Sequence, residues 1–415
     1  MLLQKHYQTI KSRLKELENP AKKYGKVASI VGNIVECTGL EASVGEMYGI
    51  QTILGKFIVA EVVGIKDGKT LLMPFDQVIG MKNGCLVERL GESLNVGVGD
   101  HLLGRVVDHN GAPIDNLGQI ITTYRQSIQN NPPSPMDRAP INEIMYTGVR
   151  ALDALNTIGI GQRIGLFAGS GVGKSTLMGM IAKCSYADVN VIALIGERGR
   201  EVHEFIYETL GKEGIKRSVV VVATSDTAAM GRVKGAFTAT AIAEYFRDQG
   251  KNVLLMMDSV TRVAMALREI DLASGEPPTT KRYTPSVFSI LPKLLERPSK
   301  TNIGSITGLY TILVDSDDMN EPTADAVRSI LDGHIVLSRR LAHKNYYPAI
   351  DILESISRVM PKIITKHQRN ISQKARELLA IYREAEDIIN IGAYVKGSNP
   401  KIDLSIKNIQ LWNHF

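Results

Sequence analysis

The chain has 415 residues, 44% hydrophobic and 22% charged, the profile of a globular protein long enough for two or three domains. No apolar run approaches the roughly 20 residues needed to span a bilayer, the opening Met1-Leu-Leu-Gln-Lys-His turns polar too soon for a signal peptide, and three scattered cysteines (Cys37, Cys85, Cys184) fit a reducing cytosol and exclude a disulfide framework. The net charge of +6 sits at the ends, with six basic against two acidic residues in 1–24 and nine against five in 361–415, which argues for charged partners there and against a nucleic-acid groove along the body.

Residues 1–24 are expected to form an N-terminal amphipathic helix, with Leu3, Tyr7, Ile10, Leu14 and Leu17 on one seam and an end near Asn19-Pro20. Packing on its own domain and docking to a partner or membrane surface are both open. Residues 25–92 carry short β-branched runs broken by glycine, with a hairpin turn at Asp67-Gly68, and predict a small β-barrel. From about Gly97 to Ser357 strand and helix patterns alternate, with strands expected at 163–167, 189–195, 218–223, 253–258 and 306–314 and a helix over 227–247. That pattern belongs to an α/β domain, here 93–360, with a mainly parallel sheet and helices on both faces. A proline-rich connector spans 130–145. Residues 361–415 read as a C-terminal helical domain, helical through 395, then Gly397-Ser-Asn-Pro400 and a short final segment.

The chemistry centres on Ala168 to Thr176. A strand (162–167) runs into Gly169, Ser170, Gly171, Val172 and Gly173, then Lys174-Ser175-Thr176 opens a helix. Glycine-rich backbone and a helix N-terminus capture phosphate, the lysine reaches forward to it, and the Ser175 hydroxyl is placed for Mg²⁺. Ala168 stands where the strict motif has glycine. Asn252–Asp258 is a hydrophobic strand ending in an acid, so Asp258 is expected beside the phosphate loop, holding the hydration shell of Mg²⁺. Glu197, one strand on from Lys174, is assigned to polarise the attacking water, with Arg198 as a phosphate contact. The competing account of 196–201 is a solvated charged turn opening a helix. Arg262 and Arg358 are candidates for stabilising transition-state charge, and spacing does not separate a role within one chain from a role across a subunit boundary. The eight histidines show no metal-ligand spacing, so no structural metal is expected.

With these motifs in order, the chain resembles the rotary-type, RecA-like ATPases, the family of the catalytic β subunit of ATP synthase and of flagellar and type III export ATPases. The resemblance rests on Ala-Gly-Ser-Gly-Val-Gly-Lys-Ser (168–175), Gly-Glu-Arg-Gly-Arg-Glu (196–201), Met-Asp-Ser-Val-Thr-Arg (257–262), the 275–288 and 330–339 stretches, and Tyr-Pro-Ala-Ile-Asp (347–351). Asp-Asp-Met-Asn-Glu-Pro (317–322) is similar to the export branch, and Leu-Leu-Met-Pro-Phe-Asp-Gln-Val-Ile-Gly (71–80) to its flagellar members. The resemblance implies a P-loop core between barrel and helical domain, ATP and Mg²⁺ as cofactors, Tyr347 stacking on adenine, and Arg358 reaching a neighbour's γ-phosphate. It also implies a homohexamer, a stator-like regulator and peripheral membrane contact at the N-terminal helix, and a central stalk, export gate, chaperones and substrates as further partners. The location implied is cytoplasmic, against the inner face of the cell membrane. Leu267, Arg282 and Ser316 depart from the family's usual Gln, Gly and Gly, and none removes a catalytic group. A rotary or vacuolar-type subunit coupled to ion flow is the alternative. A Rho-type RNA helicase is disfavoured, since 25–92 offers only Tyr48, Phe57 and Phe75 as stacking platforms on a net acidic segment.

Overall fold

The computed structural model describes residues 23–91, 93–279, 282–314, 318–319 and 321–414, without the side chains of 410 and 412–414. The helix expected at the N-terminus and Ser316 fall outside the described residues. Two compact units divide between Ser93 and Leu94.

In the first unit six strands close into a barrel: β1 (Tyr24–Val31), β2 (Ile34–Thr38), β3 (Met47–Gln51), β4 (Phe57–Lys66), β5 (Lys69–Pro74) and β6 (Leu86–Gly91), in the order β1-β2-β5-β4-β3-β6. Alternate residues turn inward, as Ile58, Ala60 and Val62 do on β4, and meet Val35, Ile50, Leu72 and Val87 in the interior. Asp67 (φ 50°) and Gly68 (φ 72°) join β4 to β5, giving the two successive left-handed residues that a tight hairpin turn requires.

The second unit begins with five short strands: β7 (Asn95–Val98), β8 (Val106–Asp108), β9 (Tyr124–Ser127), β10 (Ile144–Met145) and β11 (Ile158–Gly159). Here the expected alternation of strand and helix does not hold. The run from His109 to Gly118 is dense in Asn, Gly, Pro and Asp, which favour turns over helix through local side-chain bonds (Asn, Asp), free φ (Gly) or a fixed φ without an N–H (Pro). Asp108 accepts hydrogen bonds from the Asn110 and Ala112 amides in one such turn.

Seven longer strands follow: β12 (Arg163–Ala168), β13 (Val189–Ile195), β14 (Ser218–Ala223), β15 (Asn252–Asp258), β16 (Ser305–Leu313), β17 (Gly333–Leu337) and β18 (Ile350–Ser357). With β8 they make an eight-stranded sheet in the order β18-β17-β12-β16-β15-β13-β14-β8, parallel except for β18. Every residue of β13 and β14 is buried, as strands covered on both faces must be. Ile192, Leu194, Val220, Leu254 and Met256 share one core with Leu177, Met178 and Ile181 of the helix Lys174–Cys184. The helix Ala229–Asp248 packs along the sheet, and the helix Val260–Ala273 packs against it.

Arg297, fully buried, forks both its Nε and Nη2 onto Glu244 at 2.7 Å, while Nη1 donates to the Ile128 carbonyl and Asn130 donates to the same carboxylate. This pair anchors the start of the proline-rich connector to the helix Ala229–Asp248. After β18, Thr365 caps the helix Lys366–Asn390 by accepting from the Gln368 amide. The final segment is a 15-residue helix, Pro400–His414, longer than expected. Asn399-Pro400 starts it, with proline at the first helical position and Asn399 accepting from the Lys401 amide. Among the described residues no helix is long and apolar enough to cross a membrane.

Candidate active site

β12 delivers the chain to the loop Gly169–Gly173 at the C-terminal edge of the sheet, and the helix Lys174–Cys184 leaves from it. Gly171 (φ 77°) and Gly173 (φ 92°) hold left-handed geometry that other residues resist. Val172 is buried in the core, so only its backbone can serve a ligand, whereas Ser170, Ser175 and Thr176 are exposed at the helix mouth. Free backbone N–H groups and the helix dipole make this mouth an anion site.

Three side chains, one from the helix start and two from the sheet edge, converge on it. Lys174 Nζ lies 2.5 Å from Asp258 Oδ1 and 3.7 Å from Glu197 Oε1. Asp258 closes β15, and Glu197 follows β13 across Gly196 (φ 73°). Glu197 is one strand on from Lys174 in the chain but not in the sheet, because β16 and β15 lie between β12 and β13. Burial, helped by the Asp258 charge and opposed by Lys174, pushes the Glu197 carboxyl up to about 7. Its Oε1 is buried without a hydrogen-bond partner among the described residues.

Thr311 on β16, which the sequence did not flag, places Oγ1 2.7 Å from Asp258 Oδ1. Arg262 sits in the first turn after Asp258, and its stem lies against Gly196, where a Cβ would approach Arg262 Cβ to 2.7 Å. Its Nε is buried and has no hydrogen-bond partner among the described residues. The Tyr347 ring touches the loop, 3.4 Å from where a Cβ on Gly173 would stand, and is otherwise 58% exposed.

Two arginines are not drawn in. The Arg198 side chain is 82% exposed and lies 3.4 Å from Glu201. Arg358 occupies the opposite edge of the sheet: its amide donates to the Asp332 carbonyl, and the Asp332 amide donates to Arg163 at the start of β12. The six residues of β12 therefore separate it from the phosphate loop, roughly 15–20 Å at 3.3 Å per residue. Of the departures, Leu267 is buried in its helix, and Arg282 is exposed at φ 71°.

Comparison with known proteins decides the family. The model described as "ATP synthase alpha/beta family, nucleotide-binding domain" matches residues 148–357, its beta-barrel domain 27–91, and the "T3SS EscN ATPase C-terminal domain" 364–415. The chain belongs to the ATP synthase alpha/beta family. It is 58% identical over 396 residues to the flagellum-specific ATP synthase of Bacillus subtilis, covering 94% of this chain and 90% of that one. Against the type 3 secretion system ATPase of Xanthomonas euvesicatoria it is 50% identical over 395 residues, covering 95% and 89%. The assembled ATPase EscN of the enteropathogenic E. coli type III secretion system superposes with a TM-score of 0.89 at 49% identity, over 94% of each chain.

Membership makes the chain an ATP-binding ATPase and implies a nucleotide, typically with Mg²⁺. The residues fit both. Among the described residues no group of three or more His, Cys, Asp or Glu forms a metal cage. Mg²⁺ needs none, since it is commonly held by one or two protein oxygens together with phosphates and waters. The Ser175 hydroxyl and the Asp258 carboxylate are hard oxygen donors of that kind.

The raised Glu197 carboxyl has a consequence for stability. Its folded value of about 7 exceeds the ordinary 4.5, so between those pH values the folded chain binds the proton more tightly than the unfolded one. Wild-type stability is therefore eroded as pH climbs through that window. Glu197→Gln removes the effect, so its melting temperature, measured without nucleotide, should gain on wild type from pH 5 to pH 8. A constant difference across that range would contradict this assignment of burial.

Proposed function

We propose that this chain hydrolyses MgATP as a ring of six identical subunits and uses the energy to drive protein export through a flagellar-type secretion apparatus. The observation that carries the reading is the convergence of Lys174, Asp258 and Glu197 at the mouth of the phosphate loop, on a chain that also carries Arg358. A catalytic chain with both halves of an interface site needs no second subunit type.

In this reading the Gly169–Gly173 backbone and the helix N-terminus take the phosphates, and Lys174 moves from the two carboxylates onto them. Ser175 and Asp258 hold Mg²⁺, which neutralises phosphate charge when bound. Glu197 accepts a hydrogen bond from the attacking water through the oxygen that now lacks a donor. Arg262 supports the phosphate side, Arg198 contacts phosphate once its pairing with Glu201 is released, and Arg358 enters from the neighbouring copy. Tyr347, already against Gly173, stacks on the adenine. EscN has been solved in complex with its central stalk EscO, and an equivalent stalk is proposed here. The basic N-terminal segment is proposed to dock a regulator at the inner membrane face, and the C-terminal helices to meet export chaperones and substrates at the export gate.

The test uses the purified chain alone. Turnover should rise steeply with protein concentration, and Mg²⁺ with a non-hydrolysable ATP analogue should shift the mass from 45.4 kDa to six times that value. Added RNA should leave the rate unchanged. A chain that turns over only after a second subunit type is supplied would favour the ion-coupled rotary reading instead.

A further inference from the structure

We propose that Thr311 is a positioning residue of this ATPase: its hydroxyl fixes the Asp258 carboxylate through Oδ1 and so keeps Oδ2 turned to the hydration shell of Mg²⁺. The inference rests on the Mg²⁺-dependent reading above. It starts from sheet order. β16 lies between the phosphate-loop strand β12 and the acid-bearing strand β15, with Leu166 opposite Thr311 on one side and Met257 opposite Tyr310 on the other. Thr311 therefore stands at the level of Asp258, at the sheet edge where the phosphate loop begins.

Its side chain is fully buried, with Oγ1 2.7 Å from Asp258 Oδ1 and 3.2 Å from the Met257 carbonyl. A hydroxyl has one proton, and a carboxylate is the stronger acceptor, so the shorter contact takes it. The β-branch restricts χ1, which holds the hydroxyl on that line.

Lys174 Nζ also lies on Oδ1, so both side-chain donors meet the same oxygen of this carboxylate. The two donors have different fates. Lys174 has a second partner in Glu197 and a long side chain free to follow phosphate. Thr311 sits on a strand paired on both sides and cannot follow. When phosphate draws the lysine away, Thr311 is the donor left to hold Oδ1, and the carboxylate keeps its orientation. A valine would fill the same buried space, so packing alone does not call for a hydroxyl there.

The experiment reads nucleotide binding as well as turnover. Full-length wild type, Thr311→Val, Thr311→Ser and Thr311→Cys are titrated with a fluorescent ATP analogue in EDTA and in Mg²⁺. Cysteine nearly keeps the volume but donates weakly, which covers the case in which the valine variant does not fold. Valine and cysteine should leave affinity in EDTA within about two-fold, and should weaken Mg²⁺-dependent affinity and kcat by about 10- to 100-fold, the range for removing a support of a metal ligand. The Mg²⁺ concentration for half-maximal turnover should rise with them, and serine should restore all three. Wild-type Mg²⁺ dependence in the valine or cysteine variant overturns the proposal, as does a folded serine variant no better than valine. Failure of wild type to hydrolyse ATP would sink the functional reading while the Mg²⁺ increment in binding still judged Thr311.

Discussion

Glu197→Ala should lower turnover by about 10²- to 10⁴-fold, the contribution of a positioned acid–base group, while MgATP affinity stays close to wild type. The carboxylate follows β13 with Oε1 buried, unbonded and 3.7 Å from the lysine that meets phosphate, so its removal takes nothing from the phosphate cradle itself. Lys174→Ala should also abolish turnover, but differently. The Lys174–Asp258 pair is only 12% and 4% exposed, and deleting one partner strands a buried charge, typically at a cost of about 3–5 kcal/mol. The lysine variant is thus expected to lose nucleotide binding and melting temperature together, and the glutamate variant neither. Steady-state turnover, analogue titration and calorimetry on both variants check this. Normal hydrolysis in Glu197→Ala would remove the water-polarising assignment. The pH profile adds a second constraint: with a carboxyl near 7, wild-type turnover should climb as pH rises through neutrality.

Much of this site was legible because its chemistry is written in contiguous segments. Gly169 to Thr176, Asn252 to Asp258 and Gly196 to Glu201 each carry their own strand end and side chain, so local pattern locates them. Strand order is not local. Nothing in the spacing says that β16 enters the sheet between β12 and β15, and for that reason Thr311 reads as one more β-branched core residue. Arg358 shows the same limit. Sequence left its role open between one chain and two, and only the antiparallel return of β18 reveals that it lies across Asp332 from Arg163, at the start of β12. Turn chemistry explains the missed elements. Asp108 at the end of β8 and Asp115 after it spend their side chains on local amides, whereas Asn399-Pro400 uses the same kind of chemistry to start a helix.

Arg358→Ala should spare nucleotide binding and cut hydrolysis by about 10³-fold or more, as expected when an arginine finger is lost. The fold should tolerate it, because the residue is exposed and, among the described residues, its guanidinium meets the Leu331 carbonyl at a long 3.4 Å. Arg358→Lys should recover little, since an ammonium lacks the planar fork that grips phosphate. The decisive measurement mixes two inactive proteins. A subunit with Arg358→Ala keeps its own Glu197, and a subunit with Glu197→Ala keeps its own Arg358. Where the second neighbours the first in the correct order, one complete site forms, in about one interface in four of a random equal mixture. Activity should therefore appear on mixing that neither protein shows alone, with a maximum near equal proportions. If Arg358 acted within its own chain, the mixture would stay at the sum of its parts, and the separation along β12 already argues against that.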